Sequence, residues 1–335
     1  MKWLTDGSER EVNRDGQPGA APAAIGARHG VPAEKVRPMA SGVANRAYLL
    51  GPDLVLRVPR TEAFVADLVK EAAVIPVARA AGVRTPALVT FDDSRTDADV
   101  PYMVLERVPG TDLADLAGHD GIGAGAGDVF REVGRELTRL HALTPEVVGE
   151  LTGVPVEYDP DAGAPHRLVD GLLGDGMLDA EAARWLRGWF DRLAERIPGA
   201  LPRVLVHGDI APQNLLVSPV AGPGRGRLAL TGIVDWGDAM WADPAVEFAK
   251  TPLRGVPAML DGYREGGGGD GGGRDAPYAW EARVLRHHLG WALARLRDPA
   301  PVPGERHWTA PPASRLLGIL RFFTSSPPEP WPALA

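Results

Sequence analysis

The chain has 335 residues, 44% hydrophobic and 24% charged, enough apolar material for one large domain or two lobes around a sizeable core. Its net charge of -8 argues against a nucleic-acid partner and suits a neutral or cationic small molecule. It contains no cysteine, which excludes disulfides, thiolate zinc sites and cysteine nucleophiles.

The polar start MKWLTDGSEREVNRDGQ lacks the apolar centre of a signal peptide, and no apolar run of about 18 residues offers a membrane span. A cytoplasmic protein without a membrane partner is expected. Residues 1–20 read as a mobile tail. Ala21 to His29 suits a short helix ended by Gly30. Val36 to Met39, the small-residue turn Ser41 to Asn45, and Ala47 to Leu50 read as strand, turn, strand, and Asp53 to Pro59 as a third strand. Glu62 to Ala80 has helical spacing, with Phe64, Leu68, Ala72 and Ile75 on one face. Pro76 predicts a kink there, or a new helix from Val77. Pro86 to Phe91 and Tyr102 to Val108 suit two further strands joined by the acidic loop DDSRTDAD.

Pro109 and Gly110 mark a boundary, so 21–108 reads as one lobe and 109–335 as a second, mainly helical one. Helices are expected over 111–117, from Asp128 to His141 with Asp128 as N-cap, and from Asp179 to Ile197. Others are expected near Pro244 to Lys250, Ala279 to Arg297 and Ala313 to Phe323. The stretch GGGGDGGGRD (266–275) follows no strand and reads as a surface loop, not a dinucleotide fingerprint. His287, His288 and His307 lack the spacing of a metal site, and no GxxxxGK[ST] phosphate loop is present.

Between the helices lies VLVHGDIAPQNLLVSPVAGPGRGRLALTGIVDWGD (204–238). Apolar runs at Val204 to Val206, Leu215 to Val217 and Leu228 to Val234 would bring Asp235 back beside a polar loop carrying His207, Asp209 and Asn214. A carboxylate at Asp209 can take the proton of an attacking hydroxyl. The amide oxygen of Asn214 and the carboxylate of Asp235 can ligate Mg²⁺ bridging nucleotide phosphates. Each residue alone would suit a turn or cap; the set in this order points to phosphoryl transfer.

The segments VLVHGDIAPQNLLV and GIVDWGDAMWADPAVEFA resemble the catalytic loop (HxDxxxxN) and metal segment of the aminoglycoside and macrolide phosphotransferase family. That resemblance implies a two-lobed, protein-kinase-like α+β fold, with a small antiparallel β-sheet lobe and a larger, mainly helical lobe. It implies Asp209 as catalytic base, Asn214 and Asp235 as magnesium ligands, and His207 as a residue that orders the loop. Ser41 and Gly42 then fall where a loop covers the nucleotide. Arg57 stands where kinases carry a strand lysine, with Glu71 as its ion partner, a departure because arginine and lysine differ in geometry. Met103, Glu106 and Val108 would meet the nucleobase at the hinge. Asp238, three positions past Asp235, is the candidate for pairing an amino group of the acceptor. The expected cofactors are Mg²⁺ and ATP or GTP, and the expected acceptor is a small-molecule hydroxyl, on an antibiotic or on a metabolite such as an amino alcohol or sugar. A pseudokinase that binds nucleotide without turnover is the alternative from another class; Arg57 is the feature that favours it. Asp243 follows Asp235 by only eight positions, too close for a peptide-docking activation segment.

Overall fold

The structure is a computed structural model that describes residues 20–39, 44–116, 126–156, 163–220, 227–269, 278–298 and 311–335. The tail expected over 1–20 lies outside these residues except for Ala20, which opens helix α1 (Ala20–Arg28). Five strands follow: β1 (Val36–Pro38), β2 (Asn45–Leu50), β3 (Leu54–Pro59), β4 (Leu88–Asp92) and β5 (Tyr102–Glu106). They pair antiparallel in the order β1-β2-β3-β5-β4. Strand β5 shows why this sheet is apolar on both faces. Tyr102 and Val104 enter a cluster with Ile25, Tyr48, Leu50, Leu56 and Val58. Met103 and Leu105 point the other way, into the main core beneath helix α2 (Val65–Ala80). The alternation of period two thus divides one strand between two packed layers.

Helix α2 overturns the expectation of a new helix from Val77. It runs unbroken through the proline. Pro76 is exposed, while Leu68, Val74, Ile75 and Ala78 are anchored in the core. The buried face also differs from the expected one, for Phe64 and Ala72 are only half-buried and Glu71 is fully buried.

After Glu106 the chain leaves the sheet through residues 107–110. Thr111–Asp112 form a short strand, β6, so the helix expected from 111 shrinks to α3 (Leu113–Leu116). Helix α4 (Ala126–Leu140) starts before Asp128, which therefore lies in its first turn and not at the N-cap. An acid there still interacts favourably with the helix dipole. Next come α5 (Pro145–Val148), α6 (Ala164–Gly174) and α7 (Ala180–Ala194). Asp179 caps α7 by accepting the Ala182 amide at 2.7 Å. The three apolar runs of the central stretch are strands β7 (Val204–Val206), β8 (Leu215–Pro219) and β9 (Leu228–Ile233). They divide between two small sheets: β8 lies between β6 and β9, whereas β7 pairs with β10 (Met240–Ala242).

The expected helix after Asp243 is a 3₁₀ turn (Pro244–Phe248), followed by α8 (Val256–Glu265), α9 (Ala279–Ala294) and α10 (Pro312–Thr324). Helices α6 and α8 are absent from the sequence reading because glycine and proline interrupt their patterns. Of the glycine-rich loop, 266–269 form a turn and 270–275 lie outside the described residues. Among the described residues, no helix is long and apolar enough to cross a membrane.

Helices α4 and α8 meet backbone to backbone. A Cβ on Gly134 would stand 2.0 Å from the Met259 carbonyl oxygen, and one on Gly262 would stand 1.9 Å from that of Arg131. Gly134→Ala should therefore force the helices apart and lower stability by about 3 kcal/mol in urea unfolding. A loss within experimental error would mean that the two backbones do not touch. Helix α9 generates a pH prediction. Burial pushes the His288 imidazole down to about 3 and that of half-buried His287 to about 4, from an ordinary 6.5. Because the folded values are the lower ones, the stability held by the neutral rings is complete above pH 6.5 and is lost as pH falls toward 4 and 3. The urea midpoint should fall through that window, and His288→Gln should flatten the decline.

Candidate active site

Strand β7 delivers a buried polar loop to the middle of the molecule. Its first corner needs glycine: Gly208 has φ +77°, and a Cβ there would stand 2.3 Å from the Asp238 carbonyl oxygen. That contact explains HGD in place of a larger central residue. The buried carboxylate of Glu247 accepts the amide hydrogens of His207 at 2.6 Å and Gly208 at 3.0 Å. Nothing local in the sequence marks Glu247 for this part; an acid three positions past Pro244 looks like any helix residue until its burial is known. His207 donates from Nε2 to the Val234 carbonyl at 3.1 Å, and its Nδ1 accepts the Asp209 amide at 3.2 Å. The imidazole therefore orders the loop, as expected from its setting.

Asp209 and Asn214 meet directly. Asn214 Nδ2 donates to the Asp209 carbonyl at 2.9 Å and to its Oδ2 at 2.7 Å. Both partners are acceptors, so the nitrogen of the carboxamide is fixed toward Asp209 and its oxygen faces away. Burial pushes the Asp209 carboxyl above its ordinary value, opposed chiefly by the charge of Lys250. A carboxylate raised in this way has the character of a general base.

Antiparallel pairing of β8 with β9 carries the chain back to this loop, and the Val234 amide donates to the Asn214 carbonyl at 3.0 Å. The next residue, Asp235, adopts φ +72° and ψ 68°, a left-handed conformation uncommon for a side-chain-bearing residue. Contacts on both sides hold it there. The Ile233 amide donates to the Arg84 carbonyl at 2.8 Å, and the buried Trp236 indole donates to Thr85 Oγ1 at 2.9 Å. The Asp235 side chain is thereby turned into the cleft, 48% exposed. The amide oxygen of Asn214 and the carboxylate of Asp235 are hard oxygen donors of the kind that suits a magnesium ion.

Arg57 on β3 joins the two parts of the site. One guanidinium nitrogen donates to Glu71 Oε2 at 2.6 Å and another to Asp235 Oδ1 at 2.7 Å. Burial raises the Glu71 carboxyl, and the charge of Arg57 opposes the rise. Asp235 also feels burial, but the charge and hydrogen bond of Arg57 prevail and hold it below the usual carboxylate range. The planar fork of arginine lets one residue serve two carboxylates, which a lysine point charge does less specifically.

The remaining expected residues are less concentrated. Ser41 and Gly42 lie outside the described residues. Met103 is 0% exposed and sits in the main core, so its side chain presents no surface to a base. The amides of Glu106 and Arg107 donate to the Ala87 and Asp53 carbonyls, so both donors of this segment are already engaged within the protein. The exposed Glu106 side chain pairs with Arg79 at 3.4 Å. Asp238 lines the cleft, but it already has a cation: Lys250 contacts its Oδ2 and also stands 3.2 Å from Asp209 Oδ1. The sequence reading gives Lys250 no role.

A model of the phosphotransferase enzyme family matches residues 35–282. The viomycin phosphotransferase of Streptomyces vinaceus is 29% identical over 195 residues, which cover 56% of this chain and 63% of that protein, less than two thirds of its length. Among solved structures, an aminoglycoside 2'-phosphotransferase in complex with GDP superposes with a TM-score of 0.61 at 20% identity, covering 85% of this chain and 91% of its own. A macrolide 2'-phosphotransferase from Brachybacterium faecium superposes with a TM-score of 0.59 at 22% identity, covering 82% and 90%. At these identities the structures establish the two-lobed kinase-like fold.

The clamp on the polar loop yields a direct test. Glu247→Gln places an amide NH₂ against one of two backbone N–H groups and removes a charge-assisted acceptor. Stability should fall by about 2 kcal/mol in urea unfolding. A fully stable variant would show that the two amides do not depend on Glu247.

Proposed function

The chain belongs to the phosphotransferase enzyme family, and on that premise we propose that it moves the γ-phosphoryl group of ATP or GTP to a hydroxyl of a small molecule, most directly an antibiotic. The observation that carries this reading is the meeting of Asp209 and Asn214 in one buried loop, with Asp235 returned beside them and tied to Arg57. The chain's relatives support an antibiotic acceptor through their names: one acts on viomycin, others on aminoglycosides or macrolides. A nucleotide donor is supported by the neighbour in complex with GDP.

In this mechanism the acceptor hydroxyl donates to Oδ1 of Asp209, whose other oxygen is held by Asn214. Asp209 receives the proton as the acceptor oxygen bonds to phosphorus and the bond to the nucleoside diphosphate breaks. Asn214 and Asp235 would hold Mg²⁺, which when bound neutralises charge on the phosphates. Arg57 adds a fixed cation on the nucleotide side of the cleft, kept in place by Glu71. Little of the work is covalent chemistry by the protein; positioning and charge compensation supply it.

Two measurements test the proposal. Incubation with magnesium and ATP or GTP against viomycin, aminoglycosides, macrolides and amino alcohols should yield a phosphorylated product with at least one antibiotic; product from amino alcohols alone would move the acceptor to metabolism. Asp209→Asn should then lower turnover by about 10²–10⁴ while nucleotide affinity is retained. Unchanged turnover would remove Asp209 as the base.

A further inference from the structure

The mechanism above gives no part to Lys250, although no side-chain cation described here stands nearer to Asp209. Its ammonium lies 3.2 Å from Asp209 Oδ1 and contacts Asp238 Oδ2, and its side chain is only 14% exposed. Withdrawing an ammonium from water is costly unless paired charges compensate, so its two carboxylate contacts explain how it is tolerated there. Its chemical type is also telling. The chain has four lysines among 36 basic residues. Lysine presents a compact point charge with three donors on a flexible stem, suited to following a group whose position changes, where arginine suits a fixed planar partner.

Geometry decides what that charge can meet. Asp209 Oδ2 is taken by Asn214 at 2.7 Å, so Oδ1 is the oxygen left for an acceptor hydroxyl, and Lys250 stands on that same oxygen. A hydroxyl hydrogen-bonded to Oδ1 has its oxygen about 2.7 Å away. The phosphorus that it attacks lies one near-attack distance, about 3 Å, beyond. Both distances are within the sweep of the lysine stem. Arg57 is committed to Glu71 and Asp235 on the nucleotide side and does not cover this position.

We propose that Lys250 is a catalytic residue: on binding of the nucleoside triphosphate its ammonium turns from the two aspartates to the equatorial oxygens of the transferring γ-phosphoryl group. The move frees Asp209 Oδ1 for the acceptor and places a cation where negative charge is spread in the transition state. Bonding is otherwise as described above. The acceptor oxygen–phosphorus bond forms, the bond to the diphosphate breaks, Asp209 takes the acceptor's proton, and Lys250 keeps all of its own. The proposal rests on the phosphotransferase reading.

The experiment uses binding as well as turnover so that the two can fail separately. Wild type, Lys250→Met and Lys250→Arg are titrated in magnesium buffer with ADP, GDP and the non-hydrolysable imido analogues of ATP and GTP, by calorimetry. Their melting temperatures are measured, and turnover is assayed with an acceptor that wild type phosphorylates. Lys250→Met is expected to hold the diphosphate within twofold of wild type and to lose about 10-fold of its affinity for the triphosphate analogue. Its kcat should fall about 10²-fold with a smaller change in acceptor KM, and Lys250→Arg should recover part of the analogue affinity. If Lys250→Met binds both nucleotides and turns over as wild type does, Lys250 is not catalytic and the phosphotransferase reading stands. Equal loss of diphosphate and analogue binding in both variants, or loss of the folded state in both, would make Lys250 a structural tether and overturn the proposal. A wild type that binds no nucleotide and phosphorylates nothing overturns the underlying reading, and this proposal with it.

Discussion

Carboxylate repulsion is the constraint around which this cleft is arranged. Glu71, Asp209, Asp235 and Asp238 approach it from helix α2, the loop after β7 and the turn after β9. Two carboxylates about 4 Å apart in surroundings of effective dielectric 20 repel by about 4 kcal/mol, a large share of the net stability of a domain. Two cations answer that repulsion, and each is shared. Arg57 lies between Glu71 and Asp235, and Lys250 lies between Asp209 and Asp238. The result is a cluster balanced by its own side chains, and under the proposed function a charged ligand would enter it by exchanging one set of charge partners for another.

The rigid and adjustable parts of this cluster are distributed by burial. Asp209 and Asn214 are buried and are fixed to each other and to backbone. Beneath them, Glu247 grips two consecutive amides, and Thr251 donates to the Ile210 carbonyl at 2.9 Å. Asp235 and Asp238 instead have side chains each 48% exposed, on a turn whose backbone is pinned at Ile233 and Trp236. The backbone is preset while the outer carboxylates remain accessible, an arrangement suited to ligands that come and go.

The sequence made the layout legible wherever chemistry and local pattern coincide. The five strands between Val36 and Glu106 follow from alternation and turn residues. The convergence of Asp209, Asn214 and Asp235 follows from three apolar runs with polar ends. Arg57 and Glu71 required the family resemblance, because neither carries a local signal of its own. What stayed hidden depends on burial and on contacts distant in sequence. Glu247 and Lys250 lie in a stretch that reads as an ordinary helix, and only folding shows that one faces loop amides and the other a pair of aspartates. Pro76 suggested a second helix from Val77, but one helix continues through it, anchored by Leu68, Val74, Ile75 and Ala78 in the core, a tertiary contact that the local sequence does not reveal. The assignment of β7 to a different sheet from β8 and β9 was hidden too, since pairing partners so far apart leave no trace in periodicity.

The engagement of both nitrogens of His207 sets the route that protons can take. Nδ1 is occupied by the Asp209 amide and Nε2 gives its hydrogen to the Val234 carbonyl. The ring beside Asp209 is thus closed as a relay, and a proton lodged on that carboxylate has no imidazole to pass through. In the proposed mechanism it would leave from Oδ1, the oxygen that Asn214 does not hold. Under the proposed mechanism, resetting the enzyme for another cycle would be tied to departure of the phosphorylated product and return of water, so that deprotonation and release would be successive events on one path.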